Sequence, residues 1–438
     1  MKLRHCLNGC CMRRIKKYSF SDLYDMSSGI STVKGQAGHG SPFVSFGTVF
    51  NNHFLPDVLS DLMDTSLQEQ ETFSIKKDDV LITRTSETID ELAMSCVALK
   101  DYPSATYSGF VKRLRPKDKG VVCSKYLAFY LRGYLFRKAV TNNAFMTLRA
   151  SFNEDIFSFL HLYLPEYESQ VRIGDLLYAM EHKIVLNKRI NTELEALAKT
   201  LYDYWFVQFD FPDENGKPYR TSGGAMEWND QLKRKIPKGW CAQRLETCIS
   251  KVSTGLNPRE NFVLGNGSVK YITVKNLNTD GTIDFTNCDT VDLVAQKIIH
   301  ERSDISVGDI LFASISPLGR CFLIKEAPID WDINESVFSI RPNYKRVTSE
   351  YLYMYLTSDS FVAGASSSST GSIFKGIRIG TLLDMLMVLP DKSVVDAYTD
   401  TVNNLIALKA KKNLESAELT RLRDWLLPML MNGQATVE

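Results

Sequence analysis

The stretch Lys125-Tyr-Leu-Ala-Phe-Tyr-Leu131 returns as Glu350-Tyr-Leu-Tyr-Met-Tyr-Leu356, 225 residues further along the chain. At the same offset, Leu162-Tyr-Leu-Pro165 returns as Met387-Val-Leu-Pro390. Other segments match at offsets that differ by only a few residues, among them Asp78-Asp-Val-Leu81 with Gly308-Asp-Ile-Leu311, and Ser28-Gly-Ile30 with Thr254-Gly-Leu256. Self-similarity at a nearly fixed period indicates a duplicated structural unit. A duplicated recognition unit predicts a target with two parts.

The composition bounds the class of protein. The 438 residues are 44% hydrophobic, which is enough for two or three ordinary domains with substantial cores. No window approaches the roughly 18–20 uninterrupted apolar residues of a membrane helix, and Met1–Cys11 lacks the apolar run of a signal peptide. We therefore expect a cytoplasmic protein with no membrane partner. The nine cysteines are odd in number and mostly scattered, which favours reduced thiols over a disulfide framework.

The charge is almost balanced, so the net value of +1 does not by itself indicate a nucleic-acid-binding protein. Four local basic runs either contact phosphate or lie on a solvated face: Arg13-Arg14 with Lys16-Lys17, Lys112–Lys117, Lys233–Lys235 and Lys409–Lys412. A cluster of His5, Cys6, Cys10 and Cys11 could bind a metal, but structural zinc needs paired ligand sets and no second set follows. We favour a disordered terminal tail there and predict no metal site.

Each half of the chain has the same mixture of patterns. The runs Val80-Leu-Ile-Thr83 and Asp309-Ile-Leu-Phe312 are typical of strands, whereas Tyr126–Val140 and Tyr351–Leu356 space their apolar residues as helices do. We therefore predict an α+β protein that contains two copies of one α/β domain.

A long helix is predicted after each copy, from about Glu166 to Val207 and from about Asp391 to Met431. Pro165 and Pro390 stand where a helix start accepts proline. Mainly apolar residues then recur at alternating spacings of four and three, the pattern of a coiled-coil seam. The predicted seam residues are Ile173, Leu177, Met180, Ile184, Leu194, Leu201, Val402, Leu405, Leu419 and Leu426.

Both seams become polar at their centres, around Asn187–Asn191 and Lys409–Ser416. If the helices pack antiparallel, the two centres meet. Such a polar layer would fix register and orientation at some cost in stability. The alternative is that each centre merely faces solvent.

One segment is similar to a known family. The run Leu201-Tyr-Asp-Tyr-Trp-Phe-Val-Gln-Phe-Asp-Phe-Pro-Asp-Glu-Asn-Gly-Lys-Pro-Tyr219, with Ser222-Gly-Gly224 and Ile236-Pro-Lys-Gly-Trp240, resembles the central region of the specificity subunits of type I restriction-modification systems. The order domain, helix, domain, helix resembles the same family, so the similarity covers nearly the whole chain after the first dozen residues; Met12 could be the true start. The implied division is target-recognition domain 1 (1–164), helical spacer 1 (165–211), linker (212–239), target-recognition domain 2 (240–390) and helical spacer 2 (391–438).

The resemblance implies a non-catalytic reader of double-stranded DNA. Each recognition domain would bind one half of a split site, and the antiparallel coiled coil would act as spacer and as docking surface for two modification (methyltransferase) subunits, with restriction (endonuclease/translocase) subunits completing the complex. Because the loops of the two domains differ, we expect an asymmetric bipartite site with a non-specific gap.

The motifs of an enzyme do not occur in the sequence. An adenine methyltransferase needs an Asn/Asp-Pro-Pro-aromatic tetrapeptide, an ATPase needs a GxxxxGK[ST] loop, and a nuclease needs clustered carboxylates. We therefore expect no cofactor on this chain, and S-adenosylmethionine, ATP and Mg²⁺ on partner subunits.

Base readout comes from loop side chains, and arginine with guanine and asparagine with adenine are common pairings. Any candidate could instead be a turn residue or a member of a surface ion pair. The candidates lie in turns after strands and in two matching loops: Arg84, Thr85, Ser86, Thr147, Arg149, Ser151, Lys275, Asn276, Ser314, Ser316, Arg320, Ser372 and Lys375.

A second function fits the same layout, namely a coiled-coil scaffold that joins two interaction modules which do not bind DNA. Salt dependence would separate the two, because phosphate contacts make affinity fall steeply with salt.

Overall fold

The computed structural model describes residues 3–5, 15–31, 35–88, 91–143, 150–368 and 376–437; for residues 3–5 and 150 it describes the backbone. The chain forms two compact units. Unit 1 consists of Met1–Asn187 with Leu414–Glu438, and unit 2 consists of Lys188–Asn413.

The strands within these ranges are β1 (Leu3–His5), β2 (Lys16–Ser19), β3 (Tyr24–Ser28), β4 (Ala37–Val44), β5 (Leu62–Met63), β6 (Val80–Thr83), β7 (Thr85–Ser86), β8 (Ser95–Val97), β9 (Thr106–Tyr107), β10 (Val111–Pro116), β11 (Ala150–Ser151), β12 (His161–Leu164), β13 (Met226–Asn229), β14 (Arg234–Pro237), β15 (Cys241–Arg244), β16 (Ile249–Thr254), β17 (Val269–Ile272), β18 (Asp289–Val291), β19 (Ile310–Ala313), β20 (Cys321–Leu323), β21 (Trp331–Ile333), β22 (Val337–Pro342), β23 (Leu386–Leu389) and β24 (Ala435–Val437).

The α-helices are α1 (Phe20–Leu23), α2 (Phe46–Asn51), α3 (Leu67–Thr72), α4 (Ser124–Tyr130), α5 (Tyr134–Asn143), α6 (Glu154–Phe159), α7 (Tyr167–Tyr202), α8 (Leu293–Ser303), α9 (Ser349–Thr357), α10 (Asp359–Ser367), α11 (Ile379–Asp384) and α12 (Lys392–Met431). A π-helical turn, Asp203–Val207, extends α7.

Unit 1 is built on an antiparallel sheet with the strand order β3-β10-β6-β8. All four residues of β6 are buried, because the strand is central in the sheet and both of its faces are covered. A smaller sheet of order β5-β4-β9 contains a parallel pair, β4 with β9. The core of the larger sheet includes Leu127, Phe129 and Phe136 of α4 and α5.

Unit 2 repeats this topology. Its main sheet has the order β16-β22-β19-β20, and its smaller sheet of order β18-β17-β21 again contains one parallel pair, β17 with β21. The registers agree as well, because Val111 lies opposite Thr83 in unit 1 and Val337 lies opposite Ala313 in unit 2. The duplication predicted from the sequence is therefore a duplication of the fold.

Two glycines of the repeat sit at equivalent close approaches of the backbone. A Cβ atom on Gly29 would lie 2.2 Å from the Ser108 carbonyl oxygen, and one on Gly255 would lie 1.6 Å from the Ile333 carbonyl oxygen. Neither distance is possible for a side chain, so the turn after the first strand of each sheet requires glycine.

The two long helices follow the prediction closely. All predicted seam residues are buried or partly buried, and the helices pair antiparallel within each unit. In unit 1, Arg423 of α12 forms an ion pair with Glu181 of α7. In unit 2, the Tyr398 hydroxyl donates to the Ala198 carbonyl oxygen at 3.3 Å. The antiparallel coiled coil is therefore confirmed.

The polar centres of the two helices meet, as the antiparallel arrangement predicts. Asn187 is fully buried and its amide donates to Glu415 Oε2 (3.0 Å) and Ser416 Oγ (3.2 Å). The amide of Asn191, which is 8% exposed, donates to Asn413 Oδ1 at 2.6 Å. The alternative in which these asparagines face solvent is wrong.

Residues 212–239, for which a linker is predicted, are folded in unit 2. They contain the hairpin β13–β14, and the ring of Phe211 stacks between Tyr219 (4.6 Å) and Trp240 (4.8 Å between ring centroids). The polar composition that suggests a linker belongs to the exposed residues of this segment, whereas Ile236 of β14 is buried in the core of unit 2.

The ends of the described chain also pair with each other. Strand β1 pairs antiparallel with β24, with Leu3 opposite Val437 and His5 opposite Ala435. The backbone of residues 3–5 therefore forms a strand, whereas a disordered tail was predicted there. The cysteines at positions 6, 10 and 11 lie outside the described residues.

The boundary of each unit falls inside the long helices and not at their ends. Ile173 and Leu177 of α7, together with Leu426 and Leu430 of α12, belong to the core of unit 1. Tyr398 and Val402, with Ala198 and Tyr202, belong to the core of unit 2. The core of each unit thus includes residues from one end of each helix.

Candidate nucleic-acid interface

The described residues that are predicted to contact DNA in unit 1, namely Arg84, Thr85, Ser86 and Ser151, lie in or next to short strands at the end of β6. The Arg84 amide, directly after β6, donates to the Phe110 carbonyl oxygen at 2.8 Å, and the Phe152 amide donates to the Arg84 carbonyl oxygen at 2.7 Å. Strands β7 and β11 pair with Thr85 opposite Ser151. The structure therefore brings together two segments that are about 65 residues apart in the sequence.

We call Arg84, Thr85, Phe110, Lys112 and Ser151 the strand-end surface of unit 1. Arg84, Phe110 and Ser151 are exposed, and Thr85 and Lys112 are partly exposed. These residues offer a guanidinium, an ammonium, two hydroxyls and an aromatic ring, the groups that proteins use to contact phosphates and base edges.

Two cations of this surface have no acidic partner among the described residues. Arg84 Nη1 lies 3.5 Å from the Gly109 carbonyl oxygen, and Lys112 Nζ donates to Ser28 Oγ at 2.8 Å. Partial burial and then the neighbouring charge of Arg84 lower the pKa of Lys112, although Glu154 opposes this. A phosphate group placed between the two cations would relieve their repulsion.

Ser86 is a structural residue of the turn, contrary to the prediction. Its side chain is buried, and Ser86 Oγ accepts a hydrogen bond from the Thr88 amide at 3.2 Å. A side chain must be exposed to contact a ligand. The side chain of Ser86, the last residue of β7, is buried.

Two predicted residues of unit 2 are structural as well. Asn276 is 4% exposed; its side-chain oxygen accepts from the Thr273 amide and hydroxyl (both 2.9 Å), and its amide donates to the Asp284 (3.3 Å) and Asn287 (3.2 Å) carbonyls. Ser314 is buried and its hydroxyl donates to the Ser336 carbonyl oxygen at 2.7 Å. The side-chain oxygen and amide of Asn276 are thus both used inside the protein.

Lys275, Ser316 and Arg320 remain as accessible candidates in unit 2. Lys275 and Ser316 are exposed, and Arg320 is partly exposed. Arg320 Nη1 donates to the Leu277 carbonyl oxygen at 3.2 Å, which places this guanidinium beside the turn that carries Lys275. These two cations come from segments more than 40 residues apart in the sequence.

Four further candidates, Thr147, Arg149, Ser372 and Lys375, lie outside the described residues. The residues that flank them are described. Ser151 pairs with Thr85 in unit 1, and Gly376 forms the equivalent bridge with Ile315 in unit 2.

The sequence prediction missed Phe110 and did not single out Lys112 within the basic run Lys112–Lys117. In that run, Arg113 is buried and Arg115 forms an ion pair with Asp79 at 2.7 Å. The alternation of a strand would have separated Lys112 from Arg113, because successive side chains point to opposite faces. Phe110 lies in the turn directly before β10, and no sequence pattern separated it from the buried aromatic residues.

In the parts of the chain that the structure describes, histidine, cysteine, aspartate and glutamate form no group of three or more that could hold a metal ion. The same described residues contain no helix that is both long enough and apolar enough to cross a membrane.

The comparisons with known proteins agree with this geometry. Residues 16–196 match the model of a type I restriction modification DNA specificity domain. The chain is 25% identical to the MjaIX type I restriction enzyme specificity subunit of Methanocaldococcus jannaschii, over 78% of this chain and 75% of that protein. It is 22% identical to the HindI specificity subunit of Haemophilus influenzae, over 90% of this chain and 94% of that protein.

Over most of its length the chain is similar to specificity subunits of type I restriction-modification systems. The fold agrees with a solved structure, the type I restriction-modification S subunit from M. genitalium, with a TM-score of 0.59, 14% identity and 97% of each chain covered. The residues matched by the DNA specificity domain include the whole strand-end surface of unit 1. Both relatives are named specificity subunits, and the matched domain is named a DNA specificity domain, which agrees with the prediction that the chain is not an enzyme.

Proposed function

We propose that the chain is a specificity subunit and that it recognises an asymmetric two-part DNA site, one part with each unit, separated by a gap whose sequence is not read. The observation that carries the proposal is the duplicated fold with different side chains at equivalent positions. Arg84, Phe110 and Lys112 of unit 1 correspond to Ser314, Ser336 and Phe338 of unit 2. Equal scaffolds with unequal side chains are suited to two unequal half-sites.

The two long helices support the proposal of a fixed gap. Helix α12 has 40 residues, which corresponds to a length of about 60 Å at 1.5 Å per residue. One turn of DNA is roughly 34 Å, so a helix of this length is long enough to span a gap of about one turn between half-sites.

We further propose that the catalytic steps belong to partner chains. Two modification subunits, which would transfer a methyl group from S-adenosylmethionine to N6 of adenine, and restriction subunits, which would use ATP and Mg²⁺, would dock on this chain. Exposed apolar residues on the long helices are suited to such docking; they include Val185, Leu186 and Leu197 of α7 and Leu408, Leu414, Leu422 and Trp425 of α12.

The test is to co-express the chain with its neighbouring modification subunit in a host without DNA methylation and to map N6-methyladenine across the genome. We expect a split motif with two different halves and an unspecified gap of constant length. A continuous motif would contradict the two-reader proposal, and the absence of methylation would favour the scaffold that does not bind DNA.

A further inference from the structure

We propose that Phe110 is a specificity-determining residue of unit 1, and that its ring packs against the methyl group of a thymine in the half-site read by this unit. This inference rests on the proposed DNA-reading function. Phe110 is 58% exposed, whereas Tyr107 and Val111 on either side of its turn are completely buried. The ring is therefore turned outward from a segment that is otherwise packed into the core.

The backbone around Phe110 is held firmly in place. The Phe110 amide donates to Ser108 Oγ (3.2 Å), and the Phe110 carbonyl oxygen accepts from the Arg84 amide (2.8 Å). The preceding residue is also fixed, because the Gly109 amide donates to the Ile30 carbonyl oxygen at 2.7 Å. A ring presented on a fixed turn loses little conformational entropy when it contacts a ligand.

The surroundings of Phe110 are suited to DNA and not to an apolar protein partner. Phe110 lies in the turn two residues before Lys112 of β10, and the side chain of Lys112 is partly exposed. Arg84 approaches the carbonyl oxygen of Gly109, next to Phe110, at 3.5 Å. These two cations near the turn would bind phosphates and hold the ring against the bases.

The second copy of the fold shows that the turn does not need an aromatic side chain. Ser336 occupies the equivalent position before β22, and its carbonyl oxygen accepts from the Ser314 amide at 3.1 Å, as that of Phe110 accepts from Arg84. A serine therefore supports the same backbone geometry. The aromatic ring of unit 1 is then an addition to the fold, and its exposure is consistent with a ligand contact.

Thymine is the base that fits this ring. Its C5 methyl group is the apolar feature of the DNA major groove, and phenylalanine is one of the side chains that contact it. Uracil differs from thymine only by lacking this methyl group. A contact with one methyl group is worth roughly a threefold to fivefold change in affinity.

The experiment uses the full chain in complex with its modification subunits and duplexes that carry the mapped motif. Each thymine of the half-site read by unit 1 is replaced in turn by uracil, and binding is measured for the wild type, Phe110→Ala and Phe110→Ser. For the wild type we expect one substitution to weaken binding about threefold to fivefold, and for both variants we expect that substitution to have no effect. Phe159→Ala removes another exposed ring of unit 1 and is the matched control, which should keep the wild-type response.

Three outcomes would overturn the inference: a half-site without thymine, a wild-type complex that is insensitive to every uracil, or a Phe110→Ala complex that retains the wild-type sensitivity. If Phe110→Ala were too unstable for binding studies, Phe110→Ser, which reproduces the residue of unit 2, would decide the same question. Failure of the proposed function would look different, because the wild-type complex itself would then show no split motif.

Discussion

Asp79 and Arg115 form an ion pair in unit 1 that recurs as Asp309 and Arg341 in unit 2. Arg115 donates to both oxygens of Asp79 (2.8 and 2.7 Å), and Arg341 donates to both oxygens of Asp309 (2.8 and 2.9 Å). Both carboxylates are buried and also accept a backbone amide, from Lys76 and from Ser306. Each ion pair connects the residue directly before a central strand, β6 or β19, with the neighbouring strand, β10 or β22.

Replacement of Asp79 by asparagine should destabilise unit 1 alone, by about 2–4 kcal/mol, because it leaves a partly buried guanidinium without its carboxylate. Hydrogen exchange of the amides of β6 should accelerate in Asp79→Asn, while exchange in β19 stays as in the wild type. Asp309→Asn is the matched variant and should give the reverse pattern. Equal acceleration in both strands would contradict the independence of the two units.

Glu181 predicts an acid-sensitive stability for unit 1. Burial alone would raise the pKa of Glu181, but its contacts with His53, 3.4 Å away, and with Arg423 lower it to about 2. Since the pKa is lower in the folded than in the unfolded chain, where it is near 4.5, the stabilisation is complete above pH 4.5 and is lost as the pH falls toward 2.

Burial lowers the pKa of His53 below its ordinary value of about 6.5, although Glu181 opposes this. The stability that depends on a neutral His53 is therefore lost as the pH falls below about 6.5, which is a higher pH than for Glu181. We expect the thermal unfolding midpoint of the wild type to fall below pH 4.5 more steeply than that of Glu181→Gln. The contribution of Glu181 at neutral pH should be about 2–3 kcal/mol. If the unfolding midpoints of the wild type and Glu181→Gln changed with pH in the same way, the folded protein would not stabilise the charged form of Glu181.

At the scale of elements, the long helices were predictable because their signal is periodic over many turns. A seam of apolar residues with prolines before each start leaves few alternatives for α7 and α12. The strand β1 was not predictable, since its partner β24 lies at the other end of the chain and the pairing depends on the complete fold. The burial of Asn276 and Ser314 could not be predicted from the sequence either. Tertiary contacts decide whether a turn side chain is exposed or forms hydrogen bonds inside the protein.

The polar layer of the helices should lower stability and specify register. The side-chain oxygens of Asn187 and Asn191 are buried without a hydrogen-bond partner, which is costly. Replacement of both residues by leucine should raise the unfolding midpoint by several degrees, and Glu415 would keep its ion pair with Lys183 at 3.5 Å. The variant should also methylate sites with more than one gap length. Lower stability together with a single gap would contradict the register role.

Helix length should determine the gap. Insertion of one heptad at the centre of both α7 and α12 preserves the seam and adds about 10 Å to each helix, or roughly three base pairs of DNA. We expect the mapped motif to keep both halves and to gain about three unspecified positions. A two-residue insertion is the control, since it rotates the seam by about 200° and should abolish methylation. An unchanged gap after the heptad insertion would contradict the spacer proposal.

At the scale of the whole molecule, the central claim is that two equal scaffolds read two different half-sites independently. The most direct measurement exchanges residues 240–390 for the corresponding region of a relative with a different motif, and maps N6-methyladenine with the same modification subunit. We predict that one half of the motif changes to that of the relative while the other half and the gap stay the same; exchange of residues 1–164 should change only the other half. A change in both halves, or in neither, after the exchange of residues 240–390 would contradict the account.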